Sequence, residues 1–317
     1  MKLSDFAGMD AKMEQLMRSA QAGRIVHALL FTGPRGTGKR TMAGLFARAV
    51  LCQSGGERPC GVCPACKKCL EGMHPDVHVV APEKNSIKVG QIRDLVGELT
   101  LAAYEGGKKI AIIERADSMN ENAQNALLKT LENPVGDTMF ILLTETPGTL
   151  LPTIISRCLQ LRFHCLETDD CARVLMQRGI ASDRATLLAA LAQGSVGRAL
   201  EIDGDEEYFP LRDRVIGALE NMKKPGDVLQ MTTAVGSDSK AQQSALEIME
   251  LWARDLMRVQ NGMPPLQAAD LHKLKKSSYS GSVLLRCIIE LRRKLAANVP
   301  WVYALESMDF ALTDGRT

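Results

Sequence analysis

The chain is short of aromatic side chains, which make up 4% of its 317 residues, and short of net charge, with a formal value of +2. Antiparallel sandwiches draw on aromatic and β-branched residues, so few rings and 15 methionines suit helical packing better. The balance of 39 Lys and Arg against 37 Asp and Glu argues neither for nor against nucleic acid, and leaves any such contact local or shared with a partner. No run approaches the roughly 18 uninterrupted apolar residues of a membrane span, and Met1–Phe6 lacks the apolar core of a secretory leader. The expectation is a cytoplasmic protein with no membrane contact. With 45% hydrophobic and 24% charged residues there is no signature of disorder, and the length allows two or three domains.

What is present begins with the loop Gly33-Pro34-Arg35-Gly36-Thr37-Gly38-Lys39-Arg40. Gly33, Gly38 and Lys39 satisfy the spacing of a phosphate cradle, in which glycines turn backbone N–H groups onto phosphate oxygens and the lysine reaches the terminal phosphates. The next residue should carry a hydroxyl for magnesium, and it is Arg40. Thr41 comes one residue late, about 100° further round a helix. The apolar run His27 to Thr32 precedes the loop as a buried parallel strand would, and Thr41 to Leu51 reads as an amphipathic helix.

Four further runs have strand character: Val77 to Val80, Ile110 to Ile113, Met139 to Thr144 and Leu159 to Phe163. Helical patterns lie between them, notably Lys88 to Ala103 and Asn120 to Glu132, so a parallel five-stranded α/β sheet is predicted. In a working nucleotide hydrolase the third strand ends in an acid that holds magnesium, often followed by a second acid that orients water. Here it runs into Glu114 and Arg115, and a guanidinium cannot act as a general base. Cations at positions 40 and 115 thus argue twice against efficient hydrolysis.

Nine cysteines in a reducing compartment point to metal or packing rather than disulfides. Cys52, Cys60, Cys63, Cys66 and Cys69 crowd into one segment, the last four at x2 spacing. Any four of the five could close a tetrahedral structural zinc site, which would leave no open position for catalysis. His74 and His78 are possible ligands, although a histidine in such a setting more often only hydrogen-bonds.

Together the P-loop after His27-Ala28-Leu29-Leu30-Phe31, the cysteine insert, the segment Asn125-Ala126-Leu127-Leu128-Lys129-Thr130-Leu131-Glu132 and Ser156-Arg157-Cys158 resemble the AAA+ clamp-loader ATPases of bacterial replication over about residues 1–205. The resemblance implies an α/β P-loop AAA+ domain with a zinc-binding insert (1–165, cysteine module about 52–69), a three-helix lid (166–205) and an all-α C-terminal collar (206–317). It implies a degenerate nucleotide site of Gly33, Gly36, Gly38, Lys39, Thr41, Glu114 and Thr144, with Thr144 at the phosphate-sensing position and ATP and magnesium doubtful there. Arg157 falls at the arginine finger that enters a neighbour's ATP site. The family's cysteine pattern maps onto Cys52, Cys60, Cys63 and Cys66 for Zn2+, leaving Cys69 extra. Gly194-Ser195-Val196-Gly197-Arg198 resembles the lid motif whose sensing arginine would stand where Gly197 is.

The partners so implied are gamma/tau motor and delta subunits in a hetero-pentamer, the sliding clamp, and primer-template DNA through the complex. The leading expectation is a stator that lends Arg157 and hydrolyses little; its rivals are a motor subunit with its own ATPase and a zinc-ribbon nucleic-acid adaptor with a vestigial P-loop. Beyond the polar boundary at 203–207, amphipathic runs near 211–222, 226–235, 239–261, 266–275, 280–297 and 300–312 predict an all-helical region. Lys273, Lys275, Lys276, Arg286, Arg292, Arg293 and Lys294 form basic clusters, more often solvated helix faces than phosphate contacts.

Overall fold

A computed structural model describes residues 11–21, 26–105, 107–134, 136–221, 227–267, 270–277 and 279–314, so the reading of Met1–Phe6 lies outside the described residues. Five strands, β1 (Ala28–Thr32), β2 (Val77–Val80), β3 (Lys109–Ile113), β4 (Thr138–Thr144) and β5 (Leu159–Arg162), are ordered β2-β3-β4-β1-β5 with every pairing parallel. The predicted parallel five-stranded sheet is therefore present, with ends shifted by a residue. Lys109 and Thr138 join because they pair with each other in register.

Both faces of the sheet are covered, which explains why its strands read as unbroken apolar runs. Leu29, Phe31, Ile112, Ile141 and Leu143 point to one side, where α1 (Ala11–Gln21) and α2 (Lys39–Leu51) supply Met13, Leu16, Met42 and Phe46. Ala28, Leu30, Ile113, Phe140 and Leu142 point to the other. There they meet Ile92 and Leu95 of α4 (Val89–Thr100), Leu127 and Leu131 of α5 (Glu121–Glu132), and Ile154 of α6 (Pro152–Ile155). Each such buried aliphatic or aromatic side chain contributes about 1.5–3 kcal/mol. Between α2 and β2 the cysteine segment contains a short α3 (Pro64–Leu70).

α4 stops three residues before the predicted Ala103 because the chain beyond it is captured elsewhere. The buried Asp76 carboxylate accepts the backbone N–H groups of Tyr104 (2.6 Å) and Glu105 (3.0 Å), and Leu101 is already extended.

Two compact units divide the chain: Met1–Arg178 with Gln193–Arg198, and Gly179–Ala192 with Ala199–Thr317. α7 (Thr168–Gln177) lies in the first, α8 (Ser182–Leu191) in the second, and α9 (Val196–Asp203) starts within the 193–198 segment. The rest of the second unit is helical: α10 (Tyr208–Asn221), α11 (Val228–Val235), α12 (Ser239–Gln260), α13 (Leu271–Lys276), α14 (Gly281–Ala296) and α15 (Trp301–Asp314). α12 packs against α10, α13 and α14. The helix expected over 266–275 begins only at Leu271, because the buried Asp255 carboxylate accepts the N–H groups of Leu266 (2.7 Å) and Gln267 (3.2 Å) and holds that stretch out of a helix.

Candidate functional site

The loop after β1 has the backbone of a phosphate cradle: Gly33, Gly36 and Gly38 take φ of 144°, 76° and 90°. Its lysine is turned inward. Lys39 is buried, and its ammonium donates to the carbonyls of Gly33 (2.5 Å) and Pro34 (2.7 Å). Burial lowers its pKa, against the raising effect of Glu145, Asp117 and Cys165.

The metal side of the pocket is occupied by an ion pair. Arg40 Nε lies 2.9 Å from Glu114 Oε1, so the cation in the hydroxyl's place is paired with the acid that ends β3. The Arg40 side chain is 81% exposed, so the contact adds at most about 1 kcal/mol to stability. Its consequence is chemical: no hydroxyl follows Lys39, Glu114 is engaged, and Thr41 is exposed on α2. These residues do not fit magnesium. Arg115, in the left-handed region at φ 48°, caps a 3-10 turn with its carbonyl, which accepts the N–H (2.8 Å) and hydroxyl (2.7 Å) of Ser118.

Thr144 stands at the end of β4, where the resemblance places the sensor, and its hydroxyl is spent within the chain. It donates to Asp117 Oδ1 (2.9 Å) and accepts from the Thr146 N–H (3.2 Å). Asp117 had no role in the sequence reading; it stands three residues past Glu114, and only the β3–β4 pairing shows that it reaches Thr144.

The 193–198 segment lies directly on the loop. Ser195 Oγ donates to the Arg35 carbonyl (2.9 Å), and the Gly197 N–H donates to the Gly36 carbonyl (2.9 Å). A Cβ on Gly197 would lie 2.6 Å from Gly36 Cα, and one on Gly36 would lie 2.3 Å from Ser195 Oγ. Such distances lie inside van der Waals contact. Position 197, the slot of the expected phosphate-sensing arginine, therefore has no room for any side chain.

Arg157 follows α6 and is half exposed. Its Nη2 lies 2.7 Å from Glu132 Oε1 and its Nη1 donates to the Thr153 carbonyl at 2.9 Å. Glu132 was read only as the end of a motif, since nothing in its spacing announces a partner 25 residues on.

Of the five clustered cysteines, Cys52, Cys60, Cys63 and Cys66 converge, their sulfurs all within 4.8 Å of one another. The Cys52–Cys63 and Cys60–Cys66 separations are both 4.0 Å, close to the edge of about 3.8 Å for a tetrahedron of sulfurs at zinc bonding distance. Each of the N–H groups of Cys60, Cys63 and Cys66 points at the preceding cysteine's sulfur in this set (3.4 Å), an arrangement that favours thiolates. The N–H groups of Val62 and Cys63 hold the Cys60 thiol down at about 6, while burial pushes Cys66 up to about 12. The residues present fit a structural zinc ion. Cys69 is not one of the four; burial pushes its thiol up to about 11.

His74 Nδ1 accepts the Asp76 N–H (3.2 Å), and His78 Nδ1 lies 2.8 Å from Glu98, so both histidines are engaged in hydrogen bonding. Among the basic clusters, Arg292 pairs with Glu250 (2.6 Å) and Arg293 with Glu290 (3.5 Å). No helix of the described residues is long and apolar enough to cross a membrane.

Comparison with known proteins adds three relatives and one family. A sequence profile of the family described as DNA polymerase III, delta subunit, matches residues 8–167. The chain is 33% identical over 315 residues to DNA polymerase III subunit delta' of Bacillus subtilis, spanning 96% of this chain and 95% of that one. It is 46% identical over 156 residues to the Pseudomonas aeruginosa protein of the same name, 46% of each chain. DNA polymerase III subunit tau of Escherichia coli is 34% identical over 206 residues, covering 63% of this chain and 32% of that one.

Proposed function

The chain belongs to the DNA polymerase III delta-subunit family, and from that premise we propose that it works as the delta-prime-like stator of the bacterial clamp loader. In this reading residues 1–165 form the AAA+ domain, 166–205 the lid, and 206–317 the collar that assembles a cytoplasmic hetero-pentamer with gamma/tau motor and delta subunits. The assembly loads the sliding clamp onto primer-template DNA. Arg157 enters the neighbouring subunit's ATP site, where a guanidinium fork offsets charge that develops on the transferred phosphoryl group. Cys52, Cys60, Cys63 and Cys66 hold Zn2+, which braces the chain between α2 and β2 and takes no part in chemistry.

The observation that carries the non-hydrolytic half of this reading is the Arg40–Glu114 ion pair. A hydrolytic site needs a divalent ion between phosphates and an acid at the strand end. Here a side-chain cation is already bonded to that acid. Gly33, Gly36, Gly38, Lys39, Thr41 and Thr144 keep the outline of a nucleotide site in which Lys39 and Thr144 are satisfied by the chain itself. The rival reading, a motor subunit with its own ATPase, draws on the match to tau but has to work without a magnesium anchor.

The test is a reconstituted clamp loader carrying Arg157→Ala, assayed beside the isolated wild-type chain. The expected result is a loss of about 10³-fold or more in ATP turnover by the neighbour, the scale of an arginine finger, and no turnover above background by the isolated chain. Unchanged turnover in the complex refutes the finger, and brisk hydrolysis by the isolated chain refutes the stator.

A further inference from the structure

We infer that Glu132 is the positioning residue for Arg157: it presents the guanidinium to the neighbouring subunit in a fixed place before any nucleotide arrives, an inference that rests on the trans-acting role of Arg157 proposed above. Glu132 is the last residue of α5. Asn120 caps its first turn by accepting the Ala123 N–H (2.9 Å), and Ala123, Leu127 and Leu131 bury its inner face, so the helix is held at both ends of its length. The backbone that carries the Glu132 carboxylate is therefore fixed in place.

The chain segment that carries Arg157 is tied to the same helix a second time. Buried Gln124 of α5 donates to the Thr149 carbonyl (3.2 Å) and accepts the Leu151 N–H (2.7 Å), which locks the entry to α6. The backbone below Arg157 is thus fastened to the start of α5, and the tip of its side chain to the end of α5. The two contacts of the tip, to Glu132 Oε1 and to the Thr153 carbonyl, use two of the five N–H groups of the guanidinium. The rest of the fork is available to an incoming oxyanion.

A long arginine side chain that swung freely would have to be frozen each time it met the neighbour's phosphates. Holding it beforehand removes that requirement, which is the general route by which preorganisation raises rate and affinity. The pair is also weak enough to yield. Both side chains are more than a third exposed, so the attraction is screened by solvent and a phosphate can draw the guanidinium a short way without breaking a buried bond. Glu132 touches no reacting atom in this scheme; it acts through Arg157.

The experiment uses the reconstituted complex with Glu132→Ala, Glu132→Gln, Arg157→Ala and the double variant Glu132→Ala/Arg157→Ala, each checked for assembly by size-exclusion chromatography. Glu132→Ala is expected to lower the neighbour's kcat by about 3- to 5-fold, the scale of holding the guanidinium through one solvent-screened pair, with KM for ATP held within about twofold because the interaction serves the transition state. Glu132→Gln, which keeps an acceptor of the same length, is expected to recover most of that loss, and the alanine change is expected to add nothing once Arg157 is gone. A Glu132→Ala complex at or above wild-type turnover, while Arg157→Ala remains impaired, overturns the positioning role and leaves the finger standing. An equal loss from Glu132→Ala with and without Arg157 also overturns it, because the effect would then not pass through the guanidinium. Wild-type turnover in Arg157→Ala refutes the finger itself. Should Glu132→Ala fail to assemble, Glu132→Ser, whose hydroxyl is too short to reach the guanidinium, takes its place with and without Arg157→Ala: a loss of kcat that vanishes in the Arg157→Ala background supports the role, and no loss, or an equal loss in both backgrounds, ends it.

Discussion

Replacing Gly197 with alanine sets two physical effects against each other, and the structure says which wins. Gly197 lies in the first turn of α9, so by intrinsic propensity alanine should stabilise the helix, by up to about 1 kcal/mol in a helix interior and less near its end. Against this, the new Cβ would lie 2.6 Å from Gly36 Cα and 3.0 Å from the Gly36 carbonyl oxygen, both backbone atoms that no rotamer change can move aside. Overpacking of this kind costs about 1–3 kcal/mol, and displacing the Gly197 N–H from the Gly36 carbonyl adds about 0.5–1.5. The net expectation is destabilisation by about 2 kcal/mol, concentrated where 193–198 meets 33–39. Hydrogen exchange read by mass spectrometry should show amides of both segments exchanging about 30-fold faster. For a unit of this size the melting temperature should fall by about 4–8 °C. If the variant exchanges and melts as the wild type does, or melts higher, helix propensity has outweighed the clash and the inferred contact between the two glycines is wrong.

Zinc content separates the cysteines: Cys52→Ser should lose the metal while Cys69→Ser keeps it, as measured by atomic absorption on the purified chains. The ligands bind as thiolates, so wild-type protein should release zinc on acidification, and retention of stoichiometric metal in strong acid would argue against a four-thiolate site. In the helical unit Asp255→Ala should lower stability by about 1–3 kcal/mol in urea denaturation, because the buried Gln267 N–H and the partly buried Leu266 N–H lose their acceptor. A loss under about 0.5 kcal/mol would mean that those groups find water instead.

Much of the first unit could be read before any coordinates, because its signals are local. Strands buried on both faces read as apolar runs, the loop at 33–39 carries its glycines at fixed offsets, and α5 shows its capping asparagine and its apolar stripe. What could not be read was set by groups distant in sequence. Nothing near Glu114 predicts that Arg40 will neutralise it, nor near Thr144 that Asp117 will take its hydroxyl. The late start of α13 comes from Asp255, and the early end of α4 from Asp76, each a single carboxylate that outbids helix propensity by binding two backbone N–H groups. α3 was hidden by its composition. Its N-terminus is capped by the Cys63 sulfur, which accepts the Cys66 N–H, and a metal-ligand spacing gives no sign of a helix inside it.

β1 lies between β4 and β5, with Leu29 and Phe31 committed to one layer and Leu30 to the other. A strand so enclosed cannot drift, since shifting it by one residue would exchange the two layers throughout. The position and exit angle of the turn that follows are therefore dictated by packing and are indifferent to whether any substrate is ever bound there. Selection can strip such a turn of its reactive groups one at a time while its silhouette endures. The outline of the turn is maintained by the sheet beneath it, and shape alone is then poor testimony that a site is in use.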